Sequence, residues 1–160
     1  TYGIVLDQEM GNKESFSDII EGRDYEISYY ELKQTFTYQP GTSFRVSFSN
    51  LFSQKENIGG SLGEEARIVD LGLDFRLNKA ESGTFFAQSH YISIKYSGAA
   101  NTSLAYQMLD GLQNGTNITW SAGIQRTLGK NLQLSLSYNG RKSKDVKAVH
   151  TGNMQVRAFF

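Results

Sequence analysis

The chain has 160 residues, with 16 basic against 16 acidic side chains, so its formal net charge is zero. That balance, with no basic patch, excludes the electrostatic footprint of a nucleic-acid-binding domain, and the lack of cysteine excludes disulfide frameworks, zinc knuckles and thiol catalysis. No apolar run reaches the ~18 residues of a membrane helix, yet one proline beside nine tyrosines, ten phenylalanines and 16 glycines suits long uninterrupted strands.

The dominant pattern along the chain has period two, the mark of a strand with one apolar face. In 1–10, Tyr2, Ile4 and Leu6 oppose Gly3, Val5 and Asp7. In 24–38, Tyr30, Leu32, Phe36 and Tyr38 oppose Glu31, Lys33, Thr35 and Thr37. Tyr25, Ile27 and Tyr29 fall in the other phase, which predicts a bulge near Tyr29 and Tyr30. In 42–54, Phe44, Val46, Phe48 and Phe52 oppose Arg45, Ser47, Ser49 and Leu51. In 66–78, Val69, Leu71, Leu73, Phe75 and Leu77 oppose Asp70, Gly72, Asp74, Arg76 and Asn78.

In 83–97, Ile92, Ile94 and Tyr96 oppose Tyr91, Ser93 and Lys95. In 116–128, Ile118, Trp120, Ala122, Ile124 and Leu128 alternate with polar or small residues, and Arg126 breaks the apolar face where a long side chain can snorkel. In 131–141, Leu132, Leu134, Leu136 and Tyr138 oppose Gln133, Ser135 and Ser137. In 150–160, Gly152, Met154, Val156, Ala158 and Phe160 share one face.

These make about eight strands. Their connections alternate in length: 39–41, 79–82 and 129–130 are short, while 11–23, 55–65, 98–115 and 142–149 are long. Short turns at one end and long loops at the other are typical of an outer-membrane barrel. The alternatives for Leu104–Leu112 are a further strand or a short helix; a further strand would spoil that parity, so this stretch is read as loop. No repeat, low-complexity tract or linker divides the chain, so 1–160 reads as one domain or one barrel segment.

Periodicity leaves two orientations open. In a soluble up-and-down barrel the apolar stripes would line a cavity for an apolar ligand; in a membrane barrel they face lipid and the charges line the interior. Strand length favours the second, because spanning strands need roughly 9–11 residues against a mean of about 5–6 in soluble sheets. Aromatic residues near predicted strand ends, Tyr25, Tyr38, Phe44, Phe86, Tyr96, Trp120, Tyr138 and Phe160, favour it too.

The closing MQVRAFF resembles the C-terminal β-signal of bacterial outer-membrane proteins, and the stretch from Ala105 to Phe160 resembles the C-terminal ends of large surface and outer-membrane proteins of the Bacteroidetes. That resemblance covers roughly the last third of the chain. It implies a bacterial outer-membrane location, with the terminal strand closing the barrel and read by the barrel-assembly machinery through Val156, Ala158 and Phe160. The chain opens on Thr1 rather than Met, which fits a processed chain or the end of a larger polypeptide.

The expected architecture is all-β: an antiparallel up-and-down transmembrane β-barrel of about eight strands, or the last strands of a larger barrel. The expected lipid-facing residues are Leu71, Leu73, Phe75, Ile92, Ile94, Ile118, Trp120, Leu132, Leu134, Leu136 and Val156. The expected lumen charges are Glu31, Lys33, Arg45, Asp70, Asp74, Arg76 and Lys95. Asp70 and Asp74, about 13 Å apart along one strand, are too far separated for paired-carboxylate glycoside chemistry and are read as ion-pair partners of the basic residues.

His90 and His150 are read as structural. No serine–histidine spacing points to catalysis, and no enzyme, cofactor or metal is expected. A barrel enzyme acting on lipids or peptides would need such a cluster on one rim. The sequons at Asn101, Asn114 and Asn117, the Gly59–Glu65 stretch and the basic run Gly140–Lys147 are read as loop chemistry. The expected role is a structural, anchoring or docking component of the outer membrane, within a transport or secretion assembly. Its expected partners are outer-membrane lipid and lipopolysaccharide, the assembly machinery and other outer-membrane proteins, with no nucleic acid.

Overall fold

The computed structural model describes residues 1–15, 25–59, 63–79, 83–129 and 131–159. Eight strands follow one another: β1 Tyr2–Ser15, β2 Tyr25–Tyr38, β3 Phe44–Asn57, β4 Glu65–Lys79, β5 Gly83–Ser97, β6 Gly115–Leu128, β7 Leu132–Ser143 and β8 Val149–Ala158. One helix, α1 Ser103–Met108, lies between β5 and β6. All eight strands form one antiparallel up-and-down sheet in sequence order. The long strands follow from their composition, since β-branched and aromatic residues at alternate positions fit a pleated surface and proline is kept out of the ladders.

Each ladder runs in continuous register. β2 pairs from Tyr25 to Tyr38 against β1 without interruption, and from Ile27 to Tyr38 against β3. The bulge expected near Tyr29 and Tyr30 is therefore absent; Tyr25, Ile27 and Tyr29 simply point to the other face. The strand ends joined by the short β2–β3, β4–β5 and β6–β7 connections lie at one end of the sheet, and those joined by the longer β3–β4, β5–β6 and β7–β8 connections lie at the other. Gly129, at φ +68°, takes the left-handed conformation that the tight β6–β7 turn requires. The stretch read as loop at Leu104–Leu112 contains α1.

Register assigns every side chain to a face, because successive residues point to opposite sides. One face carries Ile4, Phe36, Phe48, Leu73, Phe85, Ile124, Leu136 and Met154. The other carries Val5, Thr35, Ser49, Gly72, Phe86, Gly123, Ser137 and Asn153. Burial separates them. Among the described residues, the buried strand positions all lie on the second, polar face, except Gly140. The apolar face is the exposed one: Leu73 is 53% accessible and Phe36 45%. We call the apolar face outer and the polar face inner.

Gly140 is buried because the Trp120 indole lies over it, where any Cβ at this position would run into the ring. Gly140→Ala should cost about 1–3 kcal/mol and shift the emission of Trp120, the chain's single tryptophan. Gly41→Ala, whose added carbon would meet nothing within 4 Å, should stay within about 0.5 kcal/mol of the parent. Denaturant unfolding followed by tryptophan fluorescence checks both.

Candidate functional site

The outer face is a band with two borders. On β1 the outward apolar residues run from Tyr2 to Met10 and give way to Asn12 and Glu14. On β2 they run from Tyr38 back to Tyr30, followed by Ser28 and Glu26; on β3 from Phe44 to Phe52, followed by Gln54 and Glu56. On β4 they run from Leu77 back to Val69, followed by Arg67 and Glu65. Ser93 and Lys95, Thr116, and Lys142 continue the polar border on β5, β6 and β7. Neighbouring strands are in register, so these borders line up.

Neutral amides interrupt the band at Gln8, Gln34 and Asn50, with Gln34 facing Asn50 across β2 and β3. Among the described residues the only outward charge inside it is Arg126, near the short-turn end. From Val69 to Leu77 the band spans about 27 Å along the strand at ~3.4 Å per residue. At a tilt of about 40° that projects to roughly 21 Å, close to the ~25 Å apolar belt of membrane barrels.

Aromatic rings mark both borders. Near the short turns, Tyr2, Tyr38, Phe44, Phe75 and Phe85 form an unbroken chain across five strands, with centroid separations of 5.0, 6.4, 5.4 and 5.9 Å. At the other border Tyr30, Tyr91, Trp120 and Tyr138 face outward. Tyr25, Phe86 and Tyr96, expected among the interfacial rings, instead point inward. Phe85 takes the outward place that Phe86 was expected to fill.

The inner face is a polar network. Arg45 Nη2 lies 3.7 Å from Asp74, and His90 Nδ1 lies 2.9 Å from Asp70. His90 is the partner that sequence reasoning missed. It sits directly opposite Gly72, and a Cβ at Gly72 would collide with both the His90 ring and the Ser49 hydroxyl. Glycine there leaves His90 room to cross β4 and reach Asp70. Ser53 donates to Glu31 at 2.9 Å, and Tyr29 donates to Glu9 at 2.9 Å. Further round, Gln88, Thr119, Ser121, Asn139, Arg141 and Thr151, with Trp120 and Val149, line a mixed cleft of about 360 Å³. Among the described residues, no group of three or more His, Asp and Glu could hold a metal ion.

The expected lumen charges Glu31, Lys33, Arg45, Asp70, Asp74 and Arg76 all lie on this inner face. Three expected placements are overturned. Ile92 and Ile94 point inward, 8% and 2% exposed, and Lys95 points outward beside Arg67. The alternation in 83–97 is real, but alternation within one strand does not say which side is which; the ladder to β4 decides that. Leu71, Leu73, Phe75, Ile118, Trp120, Leu132, Leu134, Leu136 and Val156 share the outer face, as does Ala158. Phe160 lies outside the described residues.

Ile92 and Ile94 turn inward because α1 gives them something to bury. Leu104, Ala105, Met108 and Leu109 pack on Ile27, Ala66, Ile68, Ile92 and Ile94 at the long-loop end of the inner face. The helix begins at Thr102, whose hydroxyl accepts from Ala105 N at 2.9 Å. It ends where Asp110 and Gly111 enter positive φ. That turn aims the Asp110 carboxylate at Lys55, whose side chain is 7% exposed and whose ammonium donates to both oxygens at 2.8 and 2.7 Å. Asn117 locks the far end of the loop by donating to Gln113 O at 2.7 Å and accepting from Ser143 Oγ at 2.6 Å.

The sequence signal for this plug was available. Leu104, Ala105, Met108 and Leu109 have helical spacing, and the phase-shifted Ile27 and Ile94 form its complement. Met108→Ala, at a site with no exposure, should cost about 2–5 kcal/mol. Asp110→Ala strands a buried ammonium whose partner is half-exposed, and should cost roughly 1–3 kcal/mol. Lys147→Ala, in the exposed 144–148 connection, should change stability by under about 0.5 kcal/mol. Urea titrations of the three variants test this order. Compared with known proteins, the chain matches no family model, no curated protein and no solved structure.

Proposed function

We propose that this chain is an integral β-barrel component of a bacterial outer membrane, serving as a structural anchor or docking element of a transport or secretion assembly. The observation that carries the reading is the outward band: predominantly apolar on all eight strands, bordered by aromatic rings, with Arg126 as the only outward charge inside it among the described residues. Hydrocarbon rewards that surface, whereas water penalises so large a contiguous apolar patch. Most of the strand charges lie on the opposite, inner face, paired there as Arg45 with Asp74 and Asp70 with His90.

The competing reading, a soluble barrel holding an apolar ligand, needs an apolar interior. Inward apolar side chains are concentrated at the long-loop end, where α1 already covers them. Below that, the inner face is lined by Glu31, Lys33, Asp70, Asp74 and Arg76. In the membrane reading β8, with Val156 and Ala158 on the outer face, carries the stretch that resembles a β-signal and is the segment offered to the assembly machinery. The connections 58–64, 98–114 and 144–148 are the surface for partner proteins and lipopolysaccharide.

Trp120 supplies the test, being the only tryptophan and outward at the band's border. After reconstitution into vesicles its emission should be quenched by lipids brominated high on the acyl chain, more than by lipids brominated near the chain end. Leu73→Arg should cost about 2–4 kcal/mol in vesicles, as expected for a cation near mid-bilayer. Recovery of the chain in the soluble fraction, with Trp120 unquenched and Leu73→Arg neutral, would overturn the proposal.

A further inference from the structure

We propose that the outer face of β5–β8 holds a docking site for an anionic, phosphate-bearing lipid, one acyl chain lying in a groove between the strands; this rests on the membrane orientation proposed above. The groove has a volume of about 470 Å³. Its floor forms where side chains are small: Ala122 and Gly152 both sit level with Tyr138, on its two neighbouring strands. A Cβ added at Gly152 would meet nothing within 4 Å, so the depression there is open rather than filled. Phe85, Ile124, Leu136 and Met154 wall it with hydrocarbon.

The upper end of the groove is built differently. Tyr138 and His150 stack at 5.9 Å and 15°, with the tyrosine hydroxyl 2.7 Å from His150 Nδ1. The Trp120 ring lies 5.6 Å from His150. This contact occupies Nδ1 and leaves Nε2 as the ring nitrogen available to a headgroup. Along β7, the next outward charge above this cluster is Lys142, level with Ile118 at the border of the band.

Charge complementarity selects the occupant. The outward acids at this border sit mainly on β1–β3, as Glu14, Glu26 and Glu56, and Glu65 is held by Arg67 at 2.7 Å. Over β5–β8 the border instead carries Lys95 and Lys142, and the following connection holds Lys144 and Lys147 against Asp145. A phosphate at that level meets a cationic field while its acyl chain fills the gap over Gly152. A neutral lipid could use the groove but gains nothing from the cations.

The experiment reconstitutes the wild-type chain, Gly152→Leu and Lys142→Glu in vesicles of phosphatidylcholine and phosphatidylglycerol. Each protein is then extracted into mild detergent and its retained lipid weighed by native mass spectrometry. Wild type should retain phosphatidylglycerol in preference to phosphatidylcholine. Lys142→Glu should lower that preference about fivefold, and Gly152→Leu should lose retention of both lipids about tenfold. Ala122→Leu, which fills the groove from β6, should repeat the Gly152→Leu result, with unchanged β-sheet circular dichroism as the check on folding.

Wild-type protein that retains no lipid, or both lipids equally, overturns the site. The brominated-lipid measurement separates the two failures. Quenched Trp120 with no retained lipid sinks this inference alone, and unquenched Trp120 sinks the membrane reading beneath it.

Discussion

Unbroken register is the constraint on which the rest of this structure depends. A strand's two faces are separated by a single residue, so one slip or bulge would send every later side chain to the wrong side. Seven consecutive ladders run without such a slip from β1 to β8. That continuity collects stripes from eight strands into one apolar band. It also places Arg45 diagonally from Asp74, and His90 across Gly72 from Asp70. Neither contact could form if β4 were displaced by one residue.

The long-loop end follows a second rule. There the outer face turns polar, at Glu14, Glu26, Glu56, Arg67 and Lys95, and the inner face turns apolar, at Ile27, Ile68, Ile92 and Ile94. The exchange happens within straight strands, with no bulge. It is possible because α1 lies on the inner side and removes those isoleucines from water. A buried lysine then anchors the helix through Asp110. The strands are thus longer than the apolar band, and their extra length serves the covered end.

The two edges of the sheet carry a physical requirement of their own. Among the described residues β1 pairs with β2 alone and β8 with β7 alone, and their side chains are mostly exposed, Tyr2 at 81% and Met154 at 67%. An open edge is tolerable in water, but in hydrocarbon each unpaired backbone group costs several kcal/mol. In the proposed membrane setting both edges must therefore be paired, by β1 closing on β8 or by further strands completing a wider barrel. The two strands run antiparallel to each other, which suits either closure.

The sequence by itself determined the class of fold, the number of strands and the alternation of long and short connections. These depend on local patterning, as in Leu132–Tyr138 and Val69–Leu77, where apolar residues recur at every second position and turn residues punctuate them. It also placed six of its seven expected lumen charges on one common face. Only the tertiary structure decided which face Ile92, Ile94 and Lys95 occupy. The phase of one strand relative to the next is set by hydrogen-bonded partners distant in sequence, and period two reads the same from either side. Tertiary structure likewise replaced the expected bulge at Tyr29 with a straight strand, because the apolar partner of Ile27 is a helix from residues 103–108, far along the chain. The Asp70–His90 pair was hidden for the same reason: it depends on a missing side chain at Gly72 and on the β4–β5 ladder, which no local pattern encodes.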